Sequence, residues 1–253
     1  KDARIIVIDE GDADQVEVLI ITKDVFSLSA DIDYGDIDRF DVSITDNNIL
    51  GFGHELRNEL LYDAENTPQI GYAGRYRINS LGKSFIRTDF EYVTSEPVDR
   101  MGVRLERRFI TPEIKWAGGI AVFGDRRERA YVFSDTTVFF DVGQDFQEAW
   151  FGRSLVLQED ENARFNLILS GLVGNNDFYE RPFVSADTNQ AFLDRQLYMV
   201  SFGLTKRYYE KGRLIAAFGR TEDIPLGYAA QILLGYEVNE LYSRNYWGAK
   251  LEA

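Results

Sequence analysis

Apolar and polar residues alternate one by one over much of the chain. The clearest runs of alternating apolar positions are Phe26, Leu28, Ala30, Ile32 and Tyr34, then Phe40, Val42 and Ile44, and later Val103 and Leu105. Because successive side chains of a strand point to opposite faces, each run predicts a β-strand with one apolar and one charged face. So many long strands with one charged face do not fit a small β-sandwich, whose core excludes water. They favour a sheet whose apolar face contacts lipid and whose polar face contacts a wet lumen.

These runs, with the turn signals between them, predict long strands over most of the chain. They are expected near 25–35, 38–49, 54–63, 71–81, 84–95, 100–110, 116–125, 136–147, 148–158, 163–175, 196–209, 213–220, 227–238 and 243–252. A length of about 10 residues matches a tilted transmembrane strand. We therefore expect an all-β, antiparallel, up-and-down transmembrane β-barrel, partial, with about 12–14 strands. The alternative is a soluble lipocalin-like barrel, which has about eight strands.

The first segment of the chain has a different pattern. Two apolar runs, Arg4 to Ile8 and Gln15 to Thr22, flank the acidic turn Asp9-Glu10-Gly11-Asp12 and predict a short hairpin from a soluble domain. The long alternating strands begin after Lys23. The sequence thus divides at this point into residues 1–23 and residues 24–253. A second irregular stretch, Gly174 to Gln196, is rich in Asn, Asp and Pro and predicts an external loop.

Composition argues against several other classes of protein. The chain has 253 residues, of which 45% are hydrophobic, and this argues against disorder. Its formal net charge of -14 argues against nucleic-acid binding, which needs a basic face. There is no cysteine, so disulfides and thiolate metal sites are excluded. No stretch of ~18 apolar residues predicts a membrane-spanning helix.

Candidate catalytic and metal-binding residues are few. His54 is the only histidine, and no nucleophile motif accompanies it, so we interpret it as a turn residue. Acidic clusters such as Asp31 to Asp38 match no calcium-loop spacing and predict a solvated or lumenal face. No spacing selects a carboxylate pair for glycoside hydrolysis, and no Gly-rich phosphate loop opens a helix. We therefore expect no enzyme activity, no catalytic or metal-binding residues and no cofactor.

Charged residues also alternate with apolar ones in the middle of the chain. The arginines are Arg75, Arg77, Arg87, Arg104 and Arg108, and the acids in equivalent positions are Asp89, Glu91 and Glu106. Two compatible interpretations are a polar lumen that guides a substrate chain and simple pairing of charges across strands. Gly118 and Gly119 predict a bulge or a close backbone approach. Trp116, Trp150 and Trp247 fit either an interfacial aromatic belt or ordinary packing.

Several segments resemble a known family. The transition from Val16 to Ser29 looks like the end of a POTRA domain entering a first barrel strand. The stretch from Ser43 to Leu56 is similar to the turn between strands two and three of BamA/TamA-type outer-membrane proteins, the bacterial surface antigen family, with Asn48, Leu50, Gly51 and Gly53 at its characteristic positions. Segments Arg108 to Gly119 and Phe146 to Ser154 resemble the middle strands of a Bacteroidota-like branch of that family.

The chain also departs from the family pattern. The family's Arg-Gly-Phe/Tyr motif on the lumenal loop is absent, and the nearest stretch, Gly219 to Gly227, is not that motif. The last residues, Lys250 to Ala253, lack the terminal aromatic residue of outer-membrane barrels. A family barrel has sixteen strands and needs a longer chain. We therefore expect a fragment: the end of a POTRA-like domain in residues 1–23 and an incomplete outer-membrane barrel in residues 24–253.

The resemblance implies a non-enzymatic function in the outer membrane of a Gram-negative cell. It implies assistance with the insertion, assembly or translocation of other outer-membrane proteins. The partners would be those unfolded proteins, accessory subunits and membrane lipid, with no nucleic acid. The lateral-gate strand that pairs with an incoming chain would contain Val25, Phe26, Leu28, Ala30, Ile32 and Tyr34. Two alternatives stay open, a passive porin or uptake barrel and a membrane anchor for an N-terminal enzymatic domain.

Overall fold

A two-stranded hairpin opens the structure. The computed structural model describes residues 2–9, 16–23, 26–96, 98–111, 113–133, 136–160, 163–213 and 221–252. Strands β1 (Asp2–Asp9) and β2 (Val16–Lys23) pair antiparallel, with Asp2 opposite Lys23 and Asp9 opposite Val16. The short hairpin predicted for residues 1–23 is therefore present, although its turn after Asp9 lies outside the described residues.

Twelve further strands form one antiparallel sheet in which each strand pairs with the next strand along the chain. In order they are β3 (Leu28–Asp36), β4 (Arg39–Asp46), β5 (Glu55–Asp63), β6 (Ile70–Ile78), β7 (Arg87–Ser95), β8 (Val98–Arg107), β9 (Trp116–Phe133), β10 (Thr136–Glu159), β11 (Ala163–Glu180), β12 (Arg195–Arg213), β13 (Thr221–Asn239) and β14 (Ser243–Glu252). The expected all-β, antiparallel, up-and-down architecture is confirmed. Among the described residues, β3 and β14 are the two edge strands.

Strand length differs between the two parts of the sheet. Strands β3 to β8 have 8–10 residues, as the sequence predicts, but β9 to β13 have 18–24. The two strands predicted at 136–147 and 148–158 are wrong, because β10 runs through both without a break. Its first residues pair only with β9, from Thr136 opposite Phe133 to Val142 opposite Arg127. The β9/β10 hairpin thus extends beyond β8, whose pairing with β9 ends at Val98 opposite Arg127.

Two other segments of the structure also differ from the prediction. The strand predicted at 213–220 falls outside the described residues except for Arg213, which ends β12. The external loop predicted between Gly174 and Gln196 is shorter than expected. Strand β11 continues to Glu180 and β12 begins at Arg195, so the connection comprises residues 181–194 and contains a single 3₁₀ turn at Gln190–Phe192.

The two faces of the sheet have opposite chemistry, and the apolar one is exposed. On β12, Val200 and Phe202 are 48% and 49% exposed, and Ile232 of β13, which lies opposite Phe202, is 57% exposed. On the opposite face, Asp89, Asp125 and Glu237 are each 5% exposed. We call these the apolar face and the polar face. Soluble proteins place apolar side chains inside and charged ones outside, so this distribution is reversed.

The polar face is the shielded side of the sheet. Its buried polar residues are Ser43, Asp89, Asp125, Ser154, Asn166, Asn176, Ser201 and Glu237, spread from β4 to β13. Side chains on the concave side of a curved sheet shield one another, whereas those on the convex side spread apart. The burial pattern therefore indicates that the sheet curves toward its polar face. In the described part of the chain, no helix is long and apolar enough to cross a membrane.

Candidate functional site: the polar face and the free edge

A ladder of ion pairs crosses β5, β6 and β7 on the polar face. The register places Glu55 opposite Arg77 and Arg77 opposite Asp89. Arg77 donates from Nε to Asp89 Oδ1 at 2.5 Å and from Nη1 to Glu55 Oε2 at 3.3 Å. Arg75 donates to the other oxygen of Glu55 at 2.6 Å, and Arg87 to the other oxygen of Asp89 at 2.6 Å. Each carboxylate therefore binds two guanidinium groups, which ties three strands together through side chains.

The ladder continues onto β8 and β9 with an aromatic ring at its centre. Phe123 lies directly opposite Gly102, and the Arg100 and Arg104 guanidinium carbons lie 4.7 and 5.5 Å from its ring centroid. A Cβ atom built on Gly102 would lie 2.0 Å from Cδ1 of Phe123. The ring thus fills the space that a side chain at Gly102 would need. Cation–π contacts of this kind stabilise both arginines, and Arg100 also pairs with Glu91 of β7 at 3.8 Å.

The predicted charged residues thus come together as ion pairs and stacked arginines. Only one of them, Arg108, lies outside the strands. Arg108 follows the end of β8 and pairs with Glu106 at 2.5 Å. Glu55, Arg100 and Phe123 also belong to this ladder and are not among the residues predicted from the sequence. The alternation itself could have found Arg100, because it precedes Arg104 by four residues on the same strand and therefore shares its face.

Gly118 and Gly119 make a close backbone approach, and the pairing of β9 is regular at both residues. A Cβ on Gly119 would lie 2.7 Å from Nε1 of Trp150 and 3.0 Å from the carbonyl oxygen of Leu105. The pairing of β9 with β8 and β10 runs through both glycines in continuous register. Of the two interpretations offered by the sequence, close approach is therefore the one that the structure supports.

Strand β3, which contains most of the predicted gate residues, is an edge of the sheet. Leu28, Ala30, Ile32 and Tyr34 all lie on the apolar face, where the last three oppose Ile44, Val42 and Phe40 of β4. Phe26 precedes the strand and is 97% exposed, and Val25 lies outside the described residues. Among the described residues β3 pairs only with β4. Its other edge therefore presents backbone N–H and C=O groups that another strand could pair with.

The predicted family-like turn connects β4 to β5, the second and third strands of the sheet. The Asn48 side-chain oxygen accepts a hydrogen bond from the Gly53 N–H at 2.7 Å. Leu50, Gly51 and Gly53 have φ angles of 50°, 82° and 71°. Left-handed backbone is accessible to glycine at little cost, which explains the two glycines of this motif. The Asn79 side chain donates to the Gly53 carbonyl at 2.8 Å and so links this turn to the next one on the same side.

His54, which follows this turn, makes a local structural contact. Its Nδ1 lies 2.6 Å from the Tyr76 hydroxyl, and the two rings meet edge to face. This agrees with our interpretation of His54 as a turn residue. In the described ranges, no three His, Cys, Asp or Glu side chains are grouped so that they could hold a metal ion.

The loop of residues 181–194 returns onto the polar face at its end. Phe192 is buried and meets the rings of Phe140 and Phe178 edge to face, at 5.9 and 5.7 Å between centroids. Arg181 donates to the Phe192 carbonyl at 2.6 Å and to Glu240 Oε1 at 2.6 Å. The only sequence signal for this packing is the apolar triplet from Ala191 to Leu193 inside an otherwise polar loop.

Electrostatics reinforce the attachment of this loop. The hydrogen bonds from Arg181 lower the pKa of Glu240, in the turn between β13 and β14, below its ordinary value. Burial raises the pKa of the neighbouring Asp194, whose Oδ1 accepts the backbone N–H of Phe178 at 2.6 Å. A paired Glu240 therefore favours its ionised form, and that form holds the loop to the end of the sheet.

Comparison with known proteins adds no family assignment. No protein-family model matches the chain, and no curated protein is significantly similar to it in sequence. The resemblance to the bacterial surface antigen family therefore stays a prediction that rests on the motifs quoted above.

Proposed function

We propose that this chain forms part of a transmembrane β-barrel in the outer membrane of a Gram-negative cell, and that it assists the insertion, assembly or translocation of other outer-membrane proteins. The observation that carries the membrane part is the reversed distribution of side chains. Apolar residues on the convex face are about half exposed, whereas Asp89, Asp125 and Glu237 on the concave face are buried. Lipid around the apolar face would remove this surface from water, at a gain of about 25 cal/mol per Å².

Strand dimensions support the same proposal. A transmembrane β-strand needs about 9–11 residues when tilted across the hydrocarbon core. Strands β3 to β8 have 8–10 residues. The extra residues of β9 and β10 would then stand outside the bilayer as a hairpin. This hairpin carries Arg126 paired with Asp141 and Glu180, an arrangement suited to water.

The free edge of β3 supports the assembly part of the proposal. An unfolded membrane protein must pair every backbone N–H and C=O group before it enters lipid, because each unpaired group costs several kcal/mol. A free strand edge at the membrane offers such a chain its first hydrogen-bond partner. The apolar residues Leu28, Ile32 and Tyr34 stand exposed on this strand, as a lipid-facing gate requires.

A folding assay tests the proposal. The full-length protein is reconstituted in liposomes, and the folding of a small unfolded outer-membrane barrel is followed by heat-modifiable gel mobility. We expect faster folding than in empty liposomes. Unchanged folding, together with steady single-channel conductance, would contradict the assembly function and favour a passive pore. The pore is the second candidate because arginines and carboxylates follow the polar face from β5 to β9.

Cysteine cross-linking then tests the role of β3 directly. These 253 residues contain no cysteine, so a single thiol introduced here is the only one in this part of the protein. Cysteine replaces Ile32 on the edge strand, or Phe90 on the same face of the interior strand β7 as a matched control. A client barrel carries one cysteine in its last strand. We expect disulfide formation during folding at position 32 and little at position 90; equal yields at both would argue against strand pairing at this edge.

A further inference from the structure

A polar cavity lies on the polar face beneath the loop of residues 181–194. Its volume is about 550 Å³, within the range of small-molecule sites. The β9/β10 hairpin, the end of β11 and the start of β12 form its walls. The side chains that matter for its chemistry are Asp125, Arg127, Arg129, Phe178, Phe192 and Arg195.

The charges in this cavity do not balance. Asp125 is the only acid in its lining, and it already accepts two hydrogen bonds from Arg127, at 2.7 and 2.5 Å. Among the described residues, neither Arg129 nor Arg195 forms an ion pair with a carboxylate. Two guanidinium groups thus face one cavity without a counter-ion, in a chain whose net charge is -14. Guanidinium groups bind carboxylate and phosphate through two parallel hydrogen bonds.

Apart from Gln144, which donates to Asp125 at 3.4 Å, the rest of the lining is apolar, and its aromatic part is held in place. Phe178 and Phe192 meet nearly at right angles, with 87° between their planes. Arg181 fixes the backbone at Phe192 through its carbonyl oxygen. The cavity therefore presents an aromatic wall beside two positively charged groups, and it exists without rearrangement of the loop.

We propose that this cavity binds a small organic anion. Its carboxylate or phosphate group pairs with Arg129 and Arg195, and its apolar body packs against Phe178 and Phe192. The proposal rests on the cavity alone. It holds whether the barrel assembles other proteins or serves as a pore.

Calorimetric titration of the purified full-length protein in detergent tests it, with protein-free micelles as the blank. Phenyl phosphate and benzoate are the two anionic probes, and their relative affinities distinguish phosphate from carboxylate as the preferred group. Benzyl alcohol is the uncharged probe of similar shape. We expect saturable binding of at least one anion, and binding of the alcohol at least about tenfold weaker, since a charged hydrogen bond contributes about that factor.

Three variants locate the binding. The double substitution Arg129→Gln with Arg195→Gln should weaken the anion at least tenfold. Arg126→Gln is the matched control, because this neighbour pairs with Asp141 and Glu180 and does not line the cavity. Ala191→Trp keeps every charge but places a large side chain at the cavity wall, and it should also weaken binding. Thermal melting of each variant reports whether it is folded.

Several outcomes would overturn the proposal. One is equal anion affinity in the wild-type protein and the double variant. Another is an equal loss in Arg126→Gln, which would mean that overall charge and not the cavity attracts the probe. A third is full binding by Ala191→Trp. If the double variant does not fold, Ala191→Trp decides the question alone.

Discussion

Replacing Gly102 by alanine should destabilise the sheet through one aromatic ring. The added Cβ would lie 2.0 Å from Cδ1 of Phe123 and 2.6 Å from its Cγ, far inside contact distance. Both backbones are fixed by the pairing of β8 with β9, so the ring must leave its place. Phe123 is 5% exposed, and it would lose both its burial and its contacts with Arg100 and Arg104.

Three contributions determine the expected change in the free energy of unfolding. Partial exposure of a phenylalanine side chain costs about 2–3 kcal/mol. Loss of two cation–π contacts adds about 1–2 kcal/mol. Replacing glycine by alanine in a strand returns about 0.4–1 kcal/mol by restricting the unfolded chain. The net decrease in the free energy of unfolding is therefore about 2–4 kcal/mol.

Urea unfolding in detergent, followed by tryptophan fluorescence, measures this change. Gly174→Ala is the matched control, because Gly174 also lies within a strand and a Cβ there would meet no atom closer than 3.8 Å. A double-mutant cycle with Phe123→Ala isolates the pair, and we expect a coupling energy of about 2 kcal/mol. If Gly102→Ala unfolds like the control, or if the two penalties simply add, the ring does not pack as described.

Three further predictions address the charge ladder, the loop and the turn. Asp89→Asn should lower the free energy of unfolding by about 2–3 kcal/mol, since it removes the counter-ion of Arg87 and leaves Arg77 only its longer contact with Glu55. Glu106→Gln at an exposed pair should cost about 0–1 kcal/mol in the same urea titration. Because its arginine partner lowers the pKa of Glu240, the contribution of this pair is present above the pKa of a free glutamate and is lost as pH falls through the lowered value. Hydrogen exchange of residues 181–194, corrected for its intrinsic pH dependence, should therefore rise at acid pH in the wild type. It should rise less in Glu240→Gln, where Asp194 still titrates beside Arg181. Gly53→Ala, at a φ of 71°, should lower the free energy of unfolding by about 1–2 kcal/mol. Gly248→Ala is the control, because a Cβ there also meets no atom within 4 Å but φ is not left-handed, and it should change stability little. Equal effects of the two substitutions would exclude backbone strain as the cause.

The sequence alone determined which face each strand residue occupies. The alternation places Leu28 to Tyr34 on an apolar face and the arginines at 75 and 77 on a polar one, and the register confirms both assignments. The reason is local: side chains alternate along any extended strand, whatever lies beside it. The sequential antiparallel order is also a local property, because short connections join strands that are neighbours in the sheet. Gly51 and Gly53 likewise predict a turn from the sequence alone.

Contacts between distant residues were decided only by the tertiary structure. Nothing near Gln147 or Glu148 indicates that one strand continues through them, because this continuity depends on pairing with β9 on one side and β11 on the other. The packing of Phe123 on Gly102 and the return of Phe192 onto the polar face depend on register in the same way. A one-residue shift in register would reverse the face of every side chain and dissolve these contacts. Local patterns therefore specify faces and strands, whereas partners, strand lengths and cavities arise from pairing between residues that are far apart in the chain.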